Sequence, residues 1–138
     1  MANGGWYGTK EEWDRIEAPL LEIDQYLERF AVENNLSLSK NLKGGPNRSF
    51  EWGISIRNLI QIFLVSETEL TFNLWVCASE DRGNKRYWKK KLLFENQTIS
   101  NVKMEIPDLL DQAYSLIKEW NERPNEFEFA TKLAKLPT

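Results

Sequence analysis

Between Arg48 and Ala78 apolar and polar residues alternate through successive segments, and this period of two limits what the chain can fold into more than any other feature. A strand sends successive side chains to opposite faces, so each such segment has one side for a core and one wetter side. Phe50, Trp52, Ile54 and Ile56 alternate with Ser49, Glu51, Gly53 and Ser55, and Leu70, Phe72, Leu74 and Val76 with Thr71, Asn73, Trp75 and Cys77. Leu36, Leu38 and Leu42 stand in the same relation to Ser37, Ser39 and Asn41. The segment Leu59–Val65 is different, because Leu59, Phe63 and Val65 share a side with Gln61 while Ile60, Ile62 and Leu64 fill the other. A strand that is apolar on both sides belongs in the middle of a sheet.

Two-residue turns at Arg57-Asn58 and Glu67-Thr68 would join the three central strands and fix their register. In that register the core face holds Phe50, Trp52, Ile54 and Ile56, then Leu59, Phe63 and Val65, then Leu70, Phe72, Leu74 and Val76. The opposite face collects Ile60, Ile62, Leu64 and Trp75. Arg82-Gly83-Asn84-Lys85 is a turn signal. Arg86–Glu95 reads as a fifth strand in preference to a short helix, and a tight Gly83-Asn84 turn adds Trp88, Leu92 and Phe94 to the face of Trp75.

Helical periodicity brackets the strands. Thr9 and Glu12 form a capping-box pattern, and Trp13, Ile16, Leu20, Ile23, Leu27 and Phe30 then recur at spacings of three and four. Pro19 lies within that stripe, and since the stripe stays in phase across it, one bent helix is expected, ended by Asn34-Asn35. Trp6 and Tyr7 are placed to pack over its first turn. After a connection over residues 96–105, Pro107 and Asp108 open a second helix with Leu109, Leu110, Ala113, Ile117 and Trp120 as its stripe, stopped by Pro124.

The expected fold class is α+β with two layers: a four- to five-stranded antiparallel sheet, the N- and C-terminal helices on one face, in the order α-β-β-β-β(-β)-α. With 138 residues the chain suits a single α+β domain over 1–138, with an arm over 1–8 and a tail over 125–138 to which no structure is assigned. A chain of this size buries roughly two-thirds of its unfolded surface and needs neither disulfide nor metal to hold a core. One cysteine, the lack of a basic-then-apolar leader and the lack of a long apolar run point to a cytoplasmic protein without a membrane role.

Charge is small overall, at −3, yet unevenly spread. Residues 1–34 carry eight acids against three bases, whereas Arg82, Lys85, Arg86, Lys89, Lys90 and Lys91 lie within a ten-residue stretch that has no acid. With Tyr87 and Trp88 among them, these bases could contact the phosphates and bases of single-stranded nucleic acid, bind an acidic protein, or keep an outer strand soluble. The acidity of the chain as a whole favours the latter two.

The chain contains no histidine, which removes the familiar nucleophile–base triads and the common zinc sites. Gly44-Gly45 lacks the Lys-Ser/Thr of a phosphate loop, and no G-x-G-x-x-G occurs. No catalytic residue, metal site or cofactor is expected. Carboxylate chemistry by a small-ligand enzyme is the most remote reading, with Glu51 the acid nearest the second face. Apolar residues gathered on that face favour a non-catalytic protein-interaction module of the adaptor, immunity or chaperone kind. Its expected contact residues are Ile60, Ile62, Leu64, Trp75 and Trp88, toward a partner or a second copy, with nucleic-acid binding by the hairpin over 82–91 as the alternative. The tail is the third candidate cover for that face.

Overall fold

A computed structural model describes residues 9–41 and 46–130 of the chain. The expectations placed on Trp6, Tyr7, Leu42, Gly44-Gly45 and the tail beyond 130 lie outside the described residues. Helix α1 (Lys10–Glu33) is followed by β1 (Leu38–Asn41), β2 (Asn47–Trp52), β3 (Ile56–Ser66), β4 (Thr71–Arg82) and β5 (Lys85–Thr98). Then come α2 (Ile99–Val102), α3 (Ile106–Asn121), a 3-10 turn at Pro124–Glu126 and β6 (Glu128–Phe129). The strands form one antiparallel meander in the order β1-β2-β3-β4-β5-β6. The architecture is thus α+β with both long helices on one face, and its sheet has one strand more than the sequence suggested. None of the described helices is long and apolar enough to cross a membrane.

Both ends of α1 follow from side-chain chemistry. The Glu12 amide donates to Thr9 Oγ1 at 3.2 Å, and the Thr9 amide donates to Glu12 Oε1 at 3.0 Å. At the other end Asn35 takes φ 55°, while Leu36 N donates to the Ala31 carbonyl and Asn35 N to that of Val32. That reversal meets the last orphan carbonyls and turns Leu36 back onto the core. Pro19 lies inside the helix without ending it. The stripe Leu20, Ile23, Leu27 and Phe30 is buried against Phe50, Ile60, Ile62, Phe72, Leu74 and Val76 on the sheet, and against Ile106, Leu110, Ala113 and Ile117 of α3. Full burial of each of the larger side chains among these contributes roughly 1.5–3 kcal/mol.

The faces of β3 are the reverse of the sequence expectation. Two-residue turns would have set Phe50 against Val65 and Leu74 against Gln61, whereas the ladder pairs Phe50 with Ile60 and Leu74 with Ile62. Both displacements are odd, so every side chain of β3 changes face. Ile60, Ile62 and Leu64 therefore pack under the helices, while Leu59, Gln61 and Phe63 point away. The outcome has a clear energetic reason, since the expected register would have put the Gln61 amide in the helix-side core.

Local conformation enforces that register. Gly53 adopts φ 104°, and a Cβ there would lie 2.0 Å from the Ile56 carbonyl oxygen, so β2 ends at Trp52 and the chain turns early. Ile54, expected in the core, is exposed on this turn. The next connection spans Glu67–Leu70 instead of a two-residue turn, with Leu70 at φ 54° and a bulge at Val65. Val65 is consequently exposed and Leu70 sits in the turn, not on the core face.

Arg86–Glu95 is strand throughout, joined to β4 by a two-residue turn in which Gly83 takes φ 69°, as the primed hairpin turns require. Ladder shifts near Leu74 flip the far half of β5. Trp88 accordingly stays on the face of Trp75, while Phe94 packs into the helix-side core. The connection expected over 96–105 is more regular than its composition suggested, because β5 runs to Thr98 and α2 follows.

Candidate functional site

The face of the sheet away from the helices carries a second, smaller cluster. Leu59 of β3, Trp75 and Cys77 of β4 and Trp88 of β5 are buried together, with Phe63 and Ala130 packed against them. Of the five expected contact residues the structure brings Trp75 and Trp88 together here. It sends Ile60, Ile62 and Leu64 to the other side for the register reason above. Leu59, Phe63 and Cys77 take their places. The signal that could have found them is Gln61, whose amide marks the side of β3 that is not the main core.

Two polar groups in this cluster have no hydrogen-bond partner. Trp75 Nε1 and Gln61 Oε1 are both buried and unpaired, and they belong to residues paired directly across β3 and β4. One is a donor and the other an acceptor, and an unpaired buried group of either kind costs about 1–3 kcal/mol. Lys90 lies over the same surface, its Nζ 4.5 Å from the Trp88 ring centroid and 5.8 Å from that of Trp75. Burial pushes the Cys77 thiol up to about 12, against the opposing charges of Lys90 and Arg86. At neutral pH it is a protonated, apolar-like side chain and not a nucleophile.

The basic hairpin is largely satisfied from within the molecule. Arg82 Nε donates to Glu80 at 2.8 Å and its guanidinium covers the Tyr87 ring, while Arg86 Nε donates to Asp81 at 3.0 Å. Lys85 lies over Phe129, Lys89 pairs with Glu126, and Lys90 sits on the two tryptophans. Lys91 alone of the six has no partner among the described residues. Charges compensated in this way offer less to a phosphate backbone than the sequence implies.

A cleft of about 440 Å³ at one end of the sheet is lined by Ile54, Ser55, Arg57, Ser79, Glu80 and Asp81. The hydrogen bond from Arg86, with its charge and that of Arg57, holds the Asp81 carboxyl below the usual carboxylate range. It is thus a fixed anion at neutral pH, poorly suited to moving protons. Glu51, the acid singled out from the sequence, pairs with Leu59 and is exposed. Among the described residues no group of three His, Cys, Asp or Glu side chains is placed to hold a metal ion.

Sequence reasoning missed one buried charge cluster. Arg48 of β2 is 1% exposed beneath α1, donating to Asp24 Oδ1 at 2.8 Å and Oδ2 at 3.1 Å and to Glu17 Oε2 at 2.9 Å. Lys40 of β1 adds a 2.6 Å bond to Glu28 and lies 3.7 Å from Asp24. Burial alone would weaken the guanidinium's hold on its proton, but the bonds to Asp24 and Glu17 outweigh it and move the group upward. Its Nε and Nη2 donors are committed to α1 and Nη1 to the Asn47 carbonyl, so it ties helix to sheet and offers nothing to a ligand. Asp24 falls on the apolar stripe of α1 and Arg48 on the core side of β2, so two opposite charges on facing surfaces were the legible signal. No protein-family model, no curated protein and no solved structure matches this chain.

Proposed function

We propose that this protein is a non-catalytic protein-interaction module whose contact surface is the sheet face away from the helices, around Leu59, Phe63, Trp75 and Trp88. The observation that carries the reading is the unpaired Trp75 Nε1 and Gln61 Oε1, buried on cross-strand partner residues at an apolar cluster. A peptide unit offers one carbonyl and one N–H, and it would satisfy both groups at once. The partner is an extended segment that lays an apolar side chain on the tryptophans, with an acidic flank complementary to Lys90.

The test is a fluorescence titration with the blocked peptide Ac-Glu-Leu-Gly-Leu-Glu-NH2. It is run on the intact chain. Saturable binding below ~1 mM is expected. Trp75→Phe keeps a ring but loses the donor, and should weaken binding by about fivefold, the value of one hydrogen bond. No saturable signal, or equal affinity in Trp75→Phe, overturns the reading.

A further inference from the structure

Beside the tryptophan cluster the second face runs into the cleft of about 440 Å³ at the end of the sheet. Arg57 of β3, Ser79 of β4 and Trp88 of β5 are paired directly across three strands, so cleft and cluster share a boundary. Ser79 lines the cleft at 2% exposure and, among the described residues, its side chain makes no hydrogen bond. Its Oγ is not sealed off as Trp75 Nε1 and Gln61 Oε1 are, so it opens on the cleft. Arg57 is exposed at the same wall and makes no hydrogen bond or ion pair among the described residues. Its field reaches Asp81, but the ion pair there belongs to Arg86. Both acids of the cleft are in fact matched, Glu80 by Arg82 at 2.8 Å and Asp81 by Arg86 at 3.0 Å. One guanidinium and one hydroxyl are left over.

We infer that this cleft binds the C-terminal carboxylate of the extended partner segment, held by Arg57 and Ser79. The inference rests on the contact surface proposed above and names the end of the partner that it reads. A carboxylate fits because a guanidinium can give it two parallel N–H bonds and a serine hydroxyl a third. Its single negative charge matches the single uncompensated positive one, whereas a phosphate dianion would lie against Glu80 and Asp81. The end of a chain fits better than an acidic side chain, because Ile54 and Ser55 of the turn between β2 and β3 line the cleft at this end of the sheet. Spacing along the face agrees. Leu59, Cys77 and Lys90 form the next row, about 7 Å on, and Gln61 and Trp75 the row after, about 14 Å on. An extended segment ending at Arg57 thus lays its preceding residues over Leu59 and the tryptophans, with an acidic flank in reach of Lys90.

Two peptides that differ only at the terminus, Ac-Glu-Leu-Gly-Leu-OH and Ac-Glu-Leu-Gly-Leu-NH2, are titrated against the full chain by tryptophan fluorescence. The free acid should bind more tightly than the amide by about fivefold or more, the value of one charge-assisted hydrogen bond. Arg57→Gln should remove that advantage and leave the amide's affinity unchanged. Arg57→Lys should keep part of it, and Ser79→Ala should reduce it by about threefold. Far-UV circular dichroism checks that each variant is folded, and the ratio of acid to amide in the unaltered chain decides even if one is not. Equal affinity of acid and amide overturns this inference alone and leaves the surface reading standing. An equal loss for both peptides in Arg57→Gln does the same. If Ac-Glu-Leu-Gly-Leu-Glu-NH2 matches the free acid and suffers the same loss in Arg57→Gln, the cleft reads an acidic side chain and the inference is overturned. Saturable binding by neither terminus overturns both readings.

Discussion

Two single residues carry much of the molecule's chemical particularity. Arg48 is sealed under α1 with its guanidinium committed to Asp24 and Glu17. Removing one partner leaves a buried charge, so Asp24→Ala should cost about 3–5 kcal/mol in urea unfolding. The double change Asp24→Leu/Arg48→Met, which removes the charge as well, should recover most of that loss. Cys77 supplies a pH-dependent test. Its folded-state value of about 12 lies above the ordinary 9.0, so the folded state holds the proton more tightly than the unfolded one. Its contribution is intact below pH 9 and is lost as pH rises from there toward 12. Stability of the wild type should therefore fall more steeply over that range than stability of Cys77→Ala, as compared by melts at matched pH. The pairing of Arg48 with Asp24 was visible only as two charges in apolar positions, because an i, i+4 stripe says nothing about which strand it will meet.

At the scale of elements, the helices were the most legible. The Thr9–Glu12 box, the stripe through Phe30 and the stop at Asn34-Asn35 appear where periodicity and capping chemistry put them, since the determinants lie within a few residues of one another. Thr9→Ala should accordingly lower stability by about 1 kcal/mol, read as a fall in melting temperature. Strands were legible as strands, but not the side each presented. A pleated segment specifies its partner only through the turn that precedes it, and here Gly53 at φ 104° makes the chain reverse before the apolar run ends. Gly53→Ala should cost about 2 kcal/mol or more, because it strains the backbone and drives a Cβ into the Ile56 carbonyl. Leu70 at φ 54° makes the same point at the next turn, since nothing in a leucine announces that conformation.

For the whole molecule, the decisive question is which side of the sheet is the core. Ile62, at 1% exposure beneath the helices, is the sharpest probe: Ile62→Glu should cost more than about 4 kcal/mol and prevent cooperative folding. Leu92→Glu, on the opposite face at 42% exposure, should change stability by no more than about 0.5 kcal/mol in the same assay. The sequence by itself determined the α+β class, the approximate limits of the two long helices, the antiparallel meander and the presence of a double-sided β3, all of which follow from periodicities read locally. It also placed Trp75 and Trp88 on the same surface, because the Gly83-Asn84 turn between their strands is as tight as its composition demands. Only the tertiary structure decided that Ile60, Ile62 and Leu64 face the helices and that Gln61 faces away. That choice depended on an odd displacement of register, set by two turns and by the cost of burying an amide in the larger core. No local pattern carries such a quantity.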